Sequence, residues 1–332
     1  MSEIRTELAD AARKALSHGQ AGDGLARDEA AALPGEMGWL MAHVPEDRGG
    51  LGLGHEGLAA IAKELGRALV PGPVVAQVGV IAALSHADAF DGRDALLEAA
   101  MGGEVMTTSL AVAPTGAMVT CVPDADRASH VLVLRPDRVA LVARDAPGVT
   151  VIERPTWDRT RRLFDVVVPH DAPAKVLAEG TAAQALDATA RSTMLFALAA
   201  DALGGAEAAL AMTVDYLKTR RQFDRPLAMF QALKHRVADL QCAIAAADAL
   251  LWQRAGDADA TLLAMGALKA HACGVYRMVT EEMIQLHGGI GLTAEYACHL
   301  FLKRALLNAA LLGDGDHWDQ LSGRALLEGT RA

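Results

Sequence analysis

Six short runs rich in β-branched residues lie between residues 105 and 170 of a chain that is otherwise helical in pattern. On both sides of these runs Ala and Leu dominate, and apolar residues recur every three or four positions. The pattern predicts a mixed α and β fold. We expect an all-helical N-terminal domain (1–104), a small middle β-domain of barrel or sandwich form (105–178) and a C-terminal four-helix bundle (179–332).

Individual elements can be placed within this order. Arg135-Pro136-Asp137-Arg138 separates two of the β-branched runs with turn-forming residues, which predicts a hairpin. The six predicted strands lie within residues 105–110, 118–121, 130–134, 139–142, 149–152 and 164–168. Helical periodicity predicts one clear helix in the first domain and four in the last, at residues 55–68, 183–219, 229–254, 258–286 and 293–311.

Composition excludes several classes of function. The chain has 31 basic and 41 acidic residues, a formal net charge of -10, which argues against general nucleic-acid binding and against attraction to an acidic membrane surface. Its four cysteines are widely spaced without a CxxC pair, and its N-terminus has no long apolar run. We therefore expect a cytoplasmic protein without a secretory signal or a metal site. Because charges interrupt the apolar windows, we also expect no membrane span.

A basic segment stands out in this acidic chain. Residues 218–226, KTRRQFDRP, contain four lysines or arginines around Phe223. An arginine at a helix end suits a diphosphate because its guanidinium donates two parallel charge-assisted hydrogen bonds, and Phe223 offers an apolar face to a ring system. A solvated helix end is an equally good interpretation of the spacing alone. Gln231 could reach a ligand amide or hydroxyl, or it could be a cap or surface group.

The second motif is rich in glycine. Residues 285–292, QLHGGIGL, place three glycines within four residues after a long helix, so the backbone there can approach a ligand closely. The alternative interpretation is a glycine C-cap followed by a tight turn between helices, with His287 in a structural rather than a catalytic role.

Together the two motifs resemble those of the acyl-CoA dehydrogenase family. The resemblance is carried by residues 216–240 and 285–304, which contain the motifs, and by residues 38–69 near the N-terminus. It implies a helical domain, a β-domain and a four-helix bundle, with FAD bound between the β-domain and the bundles of two subunits. It also implies an acyl-CoA substrate and an electron-transfer acceptor.

The same resemblance implies which residues hold FAD. The basic segment corresponds to the family's contact with the flavin diphosphate, and the glycine motif corresponds to the part that reaches the FAD of the adjacent subunit. Asp224 replaces the glycine that the family usually has after the phenylalanine, which we expect to weaken binding. The implied FAD-binding residues are Arg220, Arg221, Gln222, Phe223, Phe230, Gln231, Gln285, Leu286, His287, Gly288 and Gly289.

The family's catalytic base has no counterpart at the matching positions. In the family a buried carboxylate takes the proton next to the thioester, and it usually lies in a Tyr-Glu-Gly-Thr pattern near the chain end. Counting without gaps from the glycine motif places Leu312 at this glutamate, and the alternative base position falls at or near Met194. Both side chains are apolar. Asp314 and Asp316 could serve after a loop shift, although an aspartate in GDGDH is also typical of a solvated turn.

The β-domain departs from the family as well. It contains neither the Thr-Glu-Pro-x-x-Gly-Ser segment nor the Trp-Ile-Thr segment that normally touch the flavin ring, and it is short. Thr107, Thr108 and Ser109 stand nearest the first of these without an assigned role. Trp157 is predicted to be a packing residue.

These features lead to one hypothesis and two alternatives. The chain is predicted to be one subunit of a heteromeric FAD-dependent acyl-CoA dehydrogenase, a heterotetramer that resembles the two-gene enzymes of bacterial steroid side-chain degradation. A second subunit would supply the base, and the substrate would be a bulky steroid-side-chain CoA thioester. The first alternative is a self-associated, self-sufficient enzyme that uses Asp314 or Asp316. The second is a non-enzymatic scaffold of the same fold.

Overall fold

The computed structural model describes residues 3–16, 27–112, 118–257 and 260–329. Helices come first along the chain, and the helix predicted at residues 55–68 is confirmed as α3. Its Leu58, Ile61 and Leu65 are buried at helical spacing, as the sequence pattern requires. The α-helices of the described residues in this part are α1 (Glu3–Leu16), α2 (Arg27–Glu36), α3 (Gly54–Arg67), α4 (Val74–His86) and α5 (Arg93–Met101).

Within residues 105–112 and 118–179, seven strands form two sheets. They are β1 (Met106–Thr108), β2 (Met118–Pro123), β3 (His130–Arg135), β4 (Arg138–Ala143), β5 (Thr150–Arg154), β6 (Leu163–Val167) and β7 (Ala174–Glu179). One sheet has the order β1-β3-β4-β7 and the other the order β2-β6-β5. Val131 and Val142 of the first sheet share an apolar core with Val119 and Phe164 of the second, so the two sheets form a sandwich.

The predicted strands and hairpin are confirmed, and one strand was missed. Each of the six predicted runs overlaps one observed strand, and β3 pairs with β4 antiparallel so that Arg135 lies opposite Arg138. The seventh strand, β7, pairs with the edge of β4. Its sequence, AKVLAE, has a single β-branched residue, so its intrinsic signal is weak and its pairing depends on the neighbouring strand.

Long helices form the C-terminal part. They are α6 (Gly180–Thr219), α7 (Gln231–Ala255), α8 (Leu262–His287), α9 (Cys298–Ala310) and α10 (Gly315–Gly329). The four predicted helices are confirmed as α6 to α9, although α9 begins five residues later than expected. Helix α10 was not predicted, and it extends the bundle because the Trp318 ring packs on Gly266 of α8, where a Cβ atom would collide with it.

Helix α6 forms the centre of the molecule. By length and composition it is the one helix among the described residues that could cross a membrane. In its most apolar window, 83% of the residues are buried inside the protein. The apolar surface of α6 is therefore covered by the chain's own side chains, as in a core helix.

A buried arginine joins the three parts of the chain. Arg304 of α9 is fully buried, and its guanidinium donates to Asp201 of α6 (3.0 Å). It also donates to Thr160 of the β-domain (2.7 Å) and to the carbonyl of Val70 in the N-terminal part (2.9 Å). Asp158 lies 3.3 Å from the same guanidinium. We call these five residues the arginine clamp.

Two further side chains, Arg161 and Asn308, bind the Asp201 carboxylate of the clamp. Arg161 lies 3.0 Å from the Asp201 carboxylate, and the Asn308 amide donates to its other oxygen at 2.7 Å. Arg161 also donates to the Asn308 side-chain oxygen. Buried charges are tolerated when they are paired and hydrogen-bonded, and Asp201 meets both conditions.

We expect acid to destabilise the fold through His43. Both ring nitrogens of His43 are buried and have no hydrogen-bond partner among the described residues. Burial, with a smaller contribution from His55, lowers the pKa of His43 from 6.5 to about 4. At His43 the unfolded chain therefore binds a proton below pH 6.5 that the folded chain accepts only near pH 4. The contribution of His43 to stability is constant above pH 6.5 and falls by about 1.4 kcal/mol per pH unit between pH 6.5 and 4.

Urea unfolding between pH 7 and 4 measures this effect. In His43→Phe the loss of stability over this pH range should be smaller than in the wild type. His271→Phe, at an exposed histidine of α8, is the control and should keep the wild-type slope. Identical slopes in all three proteins would contradict the assignment.

Candidate functional site

The basic segment forms a small hairpin after the end of α6. Arg221-Gln222 pairs with Arg225-Pro226, and the turn between them consists of Phe223 and Asp224. Both turn residues have left-handed backbone angles, with φ of 52° and 61°, as tight hairpin turns require. Asp224 thus adopts the conformation that a glycine would take at low cost, and the Arg221 guanidinium donates to its carbonyl at 2.8 Å. We call residues 220–230 the basic arm.

The basic arm presents charge and aromatic surface to solvent. Arg220 is exposed, and within the described residues its guanidinium has no ionic partner. The Phe223 side chain is 83% exposed, its ring lies edge-on to that of Phe230 at 6.1 Å, and the Arg225 guanidinium lies 4.0 Å from the Phe230 ring centre. Free guanidinium groups beside an exposed ring suit a ligand that has both anionic and aromatic parts.

The glycine motif opens the backbone at the end of α8. Gly288 has a φ of 64°, and a Cβ atom added at Gly288 or Gly289 would meet nothing within 4 Å, so a ligand has access to this backbone. Gln285 and Gln231 are exposed. Leu286 and His287 are buried instead, and His287 Nδ1–H donates to the Met283 carbonyl at 2.8 Å. The structural interpretation of the His287 side chain therefore fits its surroundings.

The structure brings the two motifs together where their helices end. The Tyr216 hydroxyl donates to the His287 carbonyl at 3.2 Å, and the two rings stack at 4.3 Å. These contacts place the last turn of α6, which leads into the basic arm, beside the start of the glycine motif. The predicted FAD-binding residues thus lie at one end of the bundle.

Leu312 lines a separate cleft of about 550 Å³ on the N-terminal half of α6. We call it the apolar cleft. Its lining is mostly aliphatic and includes Leu195. The residue before it, Met194, is the one matched to the position of the family's alternative base. Met194 itself is fully buried against Gly79 of α4. The lining residues are Val112, Asp187, Arg191, Leu195, Leu262, Leu263, Leu312, His317, Trp318 and Leu321.

The backbone at Leu312 is held in an unusual conformation. Its φ is 54°, which is uncommon for a bulky residue and costs about 1–3 kcal/mol. Three hydrogen bonds fix it: Leu312 N–H donates to Leu110 O (2.7 Å), Trp318 Nε1–H to Leu312 O (3.0 Å) and Lys269 Nζ to Gly313 O (2.7 Å). The loop is therefore rigidly placed, and it presents an aliphatic side chain to the cleft.

Asp187 is the one carboxylate among the described lining residues of the cleft, and it is already neutralised. Arg191 Nε donates to both oxygens of Asp187, at 2.8 and 2.9 Å, and Arg191 Nη1 donates to the carbonyls of Ala111 and Val112 at 3.1 and 2.9 Å. This pair was not predicted, although its i, i+4 spacing is that of an ion pair on one helix face. His317, the other ionisable lining residue, lies edge-on to Trp318 at 5.0 Å.

Asp314 and Asp316 do not line the apolar cleft. Both are exposed, and Asp314 Oδ1 accepts a hydrogen bond from the His317 N–H at 2.9 Å, so Asp314 caps the N-terminus of α10. Trp157 was predicted to be a packing residue, but it is 66% exposed.

The hydroxyl residues near the missing flavin segment are used within the β-domain. Thr107, Thr108 and Ser109 are buried, and their hydroxyls donate to the carbonyls of Pro123, Leu132 and Thr120 at 2.7 to 2.8 Å. Across the described ranges there is no group of three or more potential metal ligands.

Comparisons with known proteins agree with this architecture. Residues 2–90 match the acyl-CoA dehydrogenase N-terminal domain, and residues 180–326 match the acyl-CoA dehydrogenase C-terminal domain. The acyl-CoA dehydrogenase IpdE2 of Mycobacterium tuberculosis is 35% identical over 280 residues, which are 83% of this chain and 80% of that protein.

Two solved structures share the fold. A variant of the Tcur3481-Tcur3483 steroid ACAD has a TM-score of 0.85 at 27% identity and covers 99% of both chains. An acyl-CoA dehydrogenase from Bacillus anthracis, solved in complex with FAD, has a TM-score of 0.86 at 17% identity and covers 100% of this chain and 68% of that one. At 17% identity the second likeness concerns the fold alone.

A helical domain, a β-sandwich and a bundle of long helices, in this order, define the class of fold. The chain belongs to the acyl-CoA dehydrogenase family, a family of oxidoreductases. The predicted fold class and the resemblance drawn from the two motifs are thereby confirmed.

Proposed function

We propose that the chain is one subunit of a heteromeric FAD-dependent acyl-CoA dehydrogenase, and that a partner subunit supplies the catalytic base. The observation that carries this proposal is the lining of the apolar cleft. Leu312, which the count from the glycine motif matches to the family's glutamate, lines this cleft, and Asp187 is neutralised by Arg191. The family uses a carboxylate as its general base, and such a base must lie within hydrogen-bonding reach of the proton. The described lining residues provide no free carboxylate.

The basic arm and the glycine motif fit the expected cofactor. Arg220 is free to bind the diphosphate, Gln285 is exposed, and the open backbone of Gly288 and Gly289 permits close approach. Arg221 also donates to the Asp224 carbonyl and so holds the turn of the basic arm. FAD would supply the acceptor for the hydride that leaves the acyl chain, and an electron-transfer partner would reoxidise it.

The length of α6 supports completion by another chain. Leu195 in the apolar cleft and Arg220 at the basic arm are 25 residues apart, so they are separated by about 37 Å along the helix at 1.5 Å per residue. A flavin ring placed at the cleft of one chain is therefore far from that chain's own arm. The arm instead serves a cofactor whose ring lies in a neighbouring subunit.

The proposal extends to the substrate and to the cellular location of the reaction. We propose a bulky acyl-CoA thioester such as a steroid-side-chain CoA, because a structural relative at 27% identity is a steroid ACAD named for two components. Desaturation between the α and β carbons would take place in the cytoplasm.

Co-expression with a dehydrogenase encoded next to this gene tests the proposal. We expect a yellow complex that oxidises acyl-CoA, whereas the chain expressed alone does not. Full FAD occupancy and turnover by this chain alone would overturn the proposal, and a colourless complex would favour the scaffold alternative.

Asp314→Asn combined with Asp316→Asn should leave turnover unchanged, and loss of flavin reduction in that variant would favour the self-sufficient enzyme.

Arg220→Ala is expected to weaken FAD binding by the complex by about 1.5–3 kcal/mol, because it removes a charge-assisted hydrogen bond to the diphosphate. Flavin absorbance after gel filtration measures the retained cofactor. Lys218→Ala is the matched control, since Lys218 also carries a positive charge at this helix end but pairs with Asp215 at 3.2 Å. Equal retention of flavin by both variants would exclude the proposed role of Arg220.

A further inference from the structure

Two arginines face each other at the end of the β3–β4 hairpin. Arg135 and Arg138 are cross-strand neighbours on either side of the two-residue loop. Both lie on the sheet face that carries the sandwich core, because Val133 and Val142 of that core are two and four positions away from them. Directly opposed like charges destabilise a sheet, since the Cβ atoms of such a pair are only about 5 Å apart.

Each guanidinium has one nitrogen without a hydrogen bond to any described residue. The Nε atoms of Arg135 and Arg138 are buried and have no hydrogen-bond partner in the part of the chain that the structure describes. One carboxylate is near, that of Glu179 on β7, which lies 3.9 Å from Arg138 and is 70% exposed. An exposed ion pair at that distance contributes little, so the repulsion between the two arginines is only weakly offset.

The two side chains line a groove at the end of the sandwich. The groove has a volume of about 30 Å³ and is otherwise lined by aliphatic residues and His170, with no carboxylate among the described lining residues. This volume accepts a single oxygen-sized group rather than an organic ring. The groove therefore combines two buried donors, positive charge and room for one oxygen atom.

We propose that Arg135 and Arg138 form a binding site for a phosphate group. One phosphate oxygen enters the groove, and both guanidinium groups donate to the anion, which replaces their mutual repulsion with attraction. Free inorganic phosphate and the phosphate of a coenzyme A moiety share this chemistry. The site is independent of the base and of the FAD-binding residues.

Titration calorimetry of the full chain with inorganic phosphate, at constant ionic strength, tests the site. We expect phosphate to bind the wild type and to bind Arg135→Gln or Arg138→Gln at least about ten-fold more weakly, because each loses charge-assisted hydrogen bonds. Arg144→Gln is the matched control, since it removes the same charge just beyond the other end of β4, and it should bind as the wild type does. Without phosphate, the two groove variants should melt no lower than the wild type, because the repulsion is gone.

Competition identifies the source of the phosphate. Displacement by coenzyme A but not by dephospho-CoA assigns the site to the 3′-phosphate, and displacement by neither assigns it to free phosphate. Absence of binding to the wild type, or equal affinity in all four proteins, would overturn the proposal.

Discussion

Replacing Arg304 with methionine is expected to lower the free energy of unfolding by about 3–5 kcal/mol. The change removes a fully buried cation from the arginine clamp and leaves carboxylates behind in the interior. Asp201 keeps Arg161 and Asn308 as partners, whereas Asp158 keeps no ion pair within the described chain. An unpaired buried carboxylate is the main source of the expected loss.

Urea unfolding followed by tryptophan fluorescence and by circular dichroism measures this loss. Lys303→Met, one residue earlier on α9, is the control, and we expect it to change the free energy of unfolding by less than about 0.5 kcal/mol. Because the clamp joins all three parts of the chain, we also expect the two probes to report separate transitions in Arg304→Met. A variant within about 1 kcal/mol of the wild type would show that the clamp contributes little.

The order of the domains was predictable because hydrophobic periodicity reports local burial. Apolar residues at helical spacing identified α3 and α6 to α9, and β-branched runs identified six strands. β7 was missed because its strand signal comes from pairing with β4 rather than from its own residues. α10 was missed because its one buried residue, Trp318, gives no periodic pattern.

The arginine clamp was beyond sequence analysis for a different reason. Its bonds join residues 103 to 234 positions apart, as in the contacts of Arg304 with Asp201 and Val70. Such long-range polar contacts leave no periodic trace in the sequence. The facing arginines of the β3–β4 hairpin were predictable as a turn, but their lack of partners depends on what the rest of the sandwich places around them.

The candidate site also has parts that could be predicted from the sequence and a part that could not. The basic arm and the glycine motif are local in sequence, so their residues were identified, and the structure adds their proximity through Tyr216 and His287. The apolar cleft depends on the packing of four separate segments, and the Asp187–Arg191 pair that neutralises its carboxylate was not identified beforehand. The roles of the basic arm and the glycine motif in binding FAD stay predictions.

Gly204→Ala is expected to destabilise the fold by about 3 kcal/mol, the upper end of the cost of overpacking. A Cβ atom at Gly204 of α6 would overlap the backbone carbonyl of Lys63 on α3, and one at Gly66 of α3 would overlap that of Asp201 on α6. Backbone atoms have no rotamer that relieves such a clash, so α3 must move away from α6.

Gly274→Ala is the matched control, since Gly274 lies within α8 with nothing within 4 Å of an added Cβ atom. The higher helix propensity of alanine should stabilise that variant by about 0.5–1 kcal/mol. Equal effects of the two substitutions on the urea midpoint would mean that the helices are not in the close contact described.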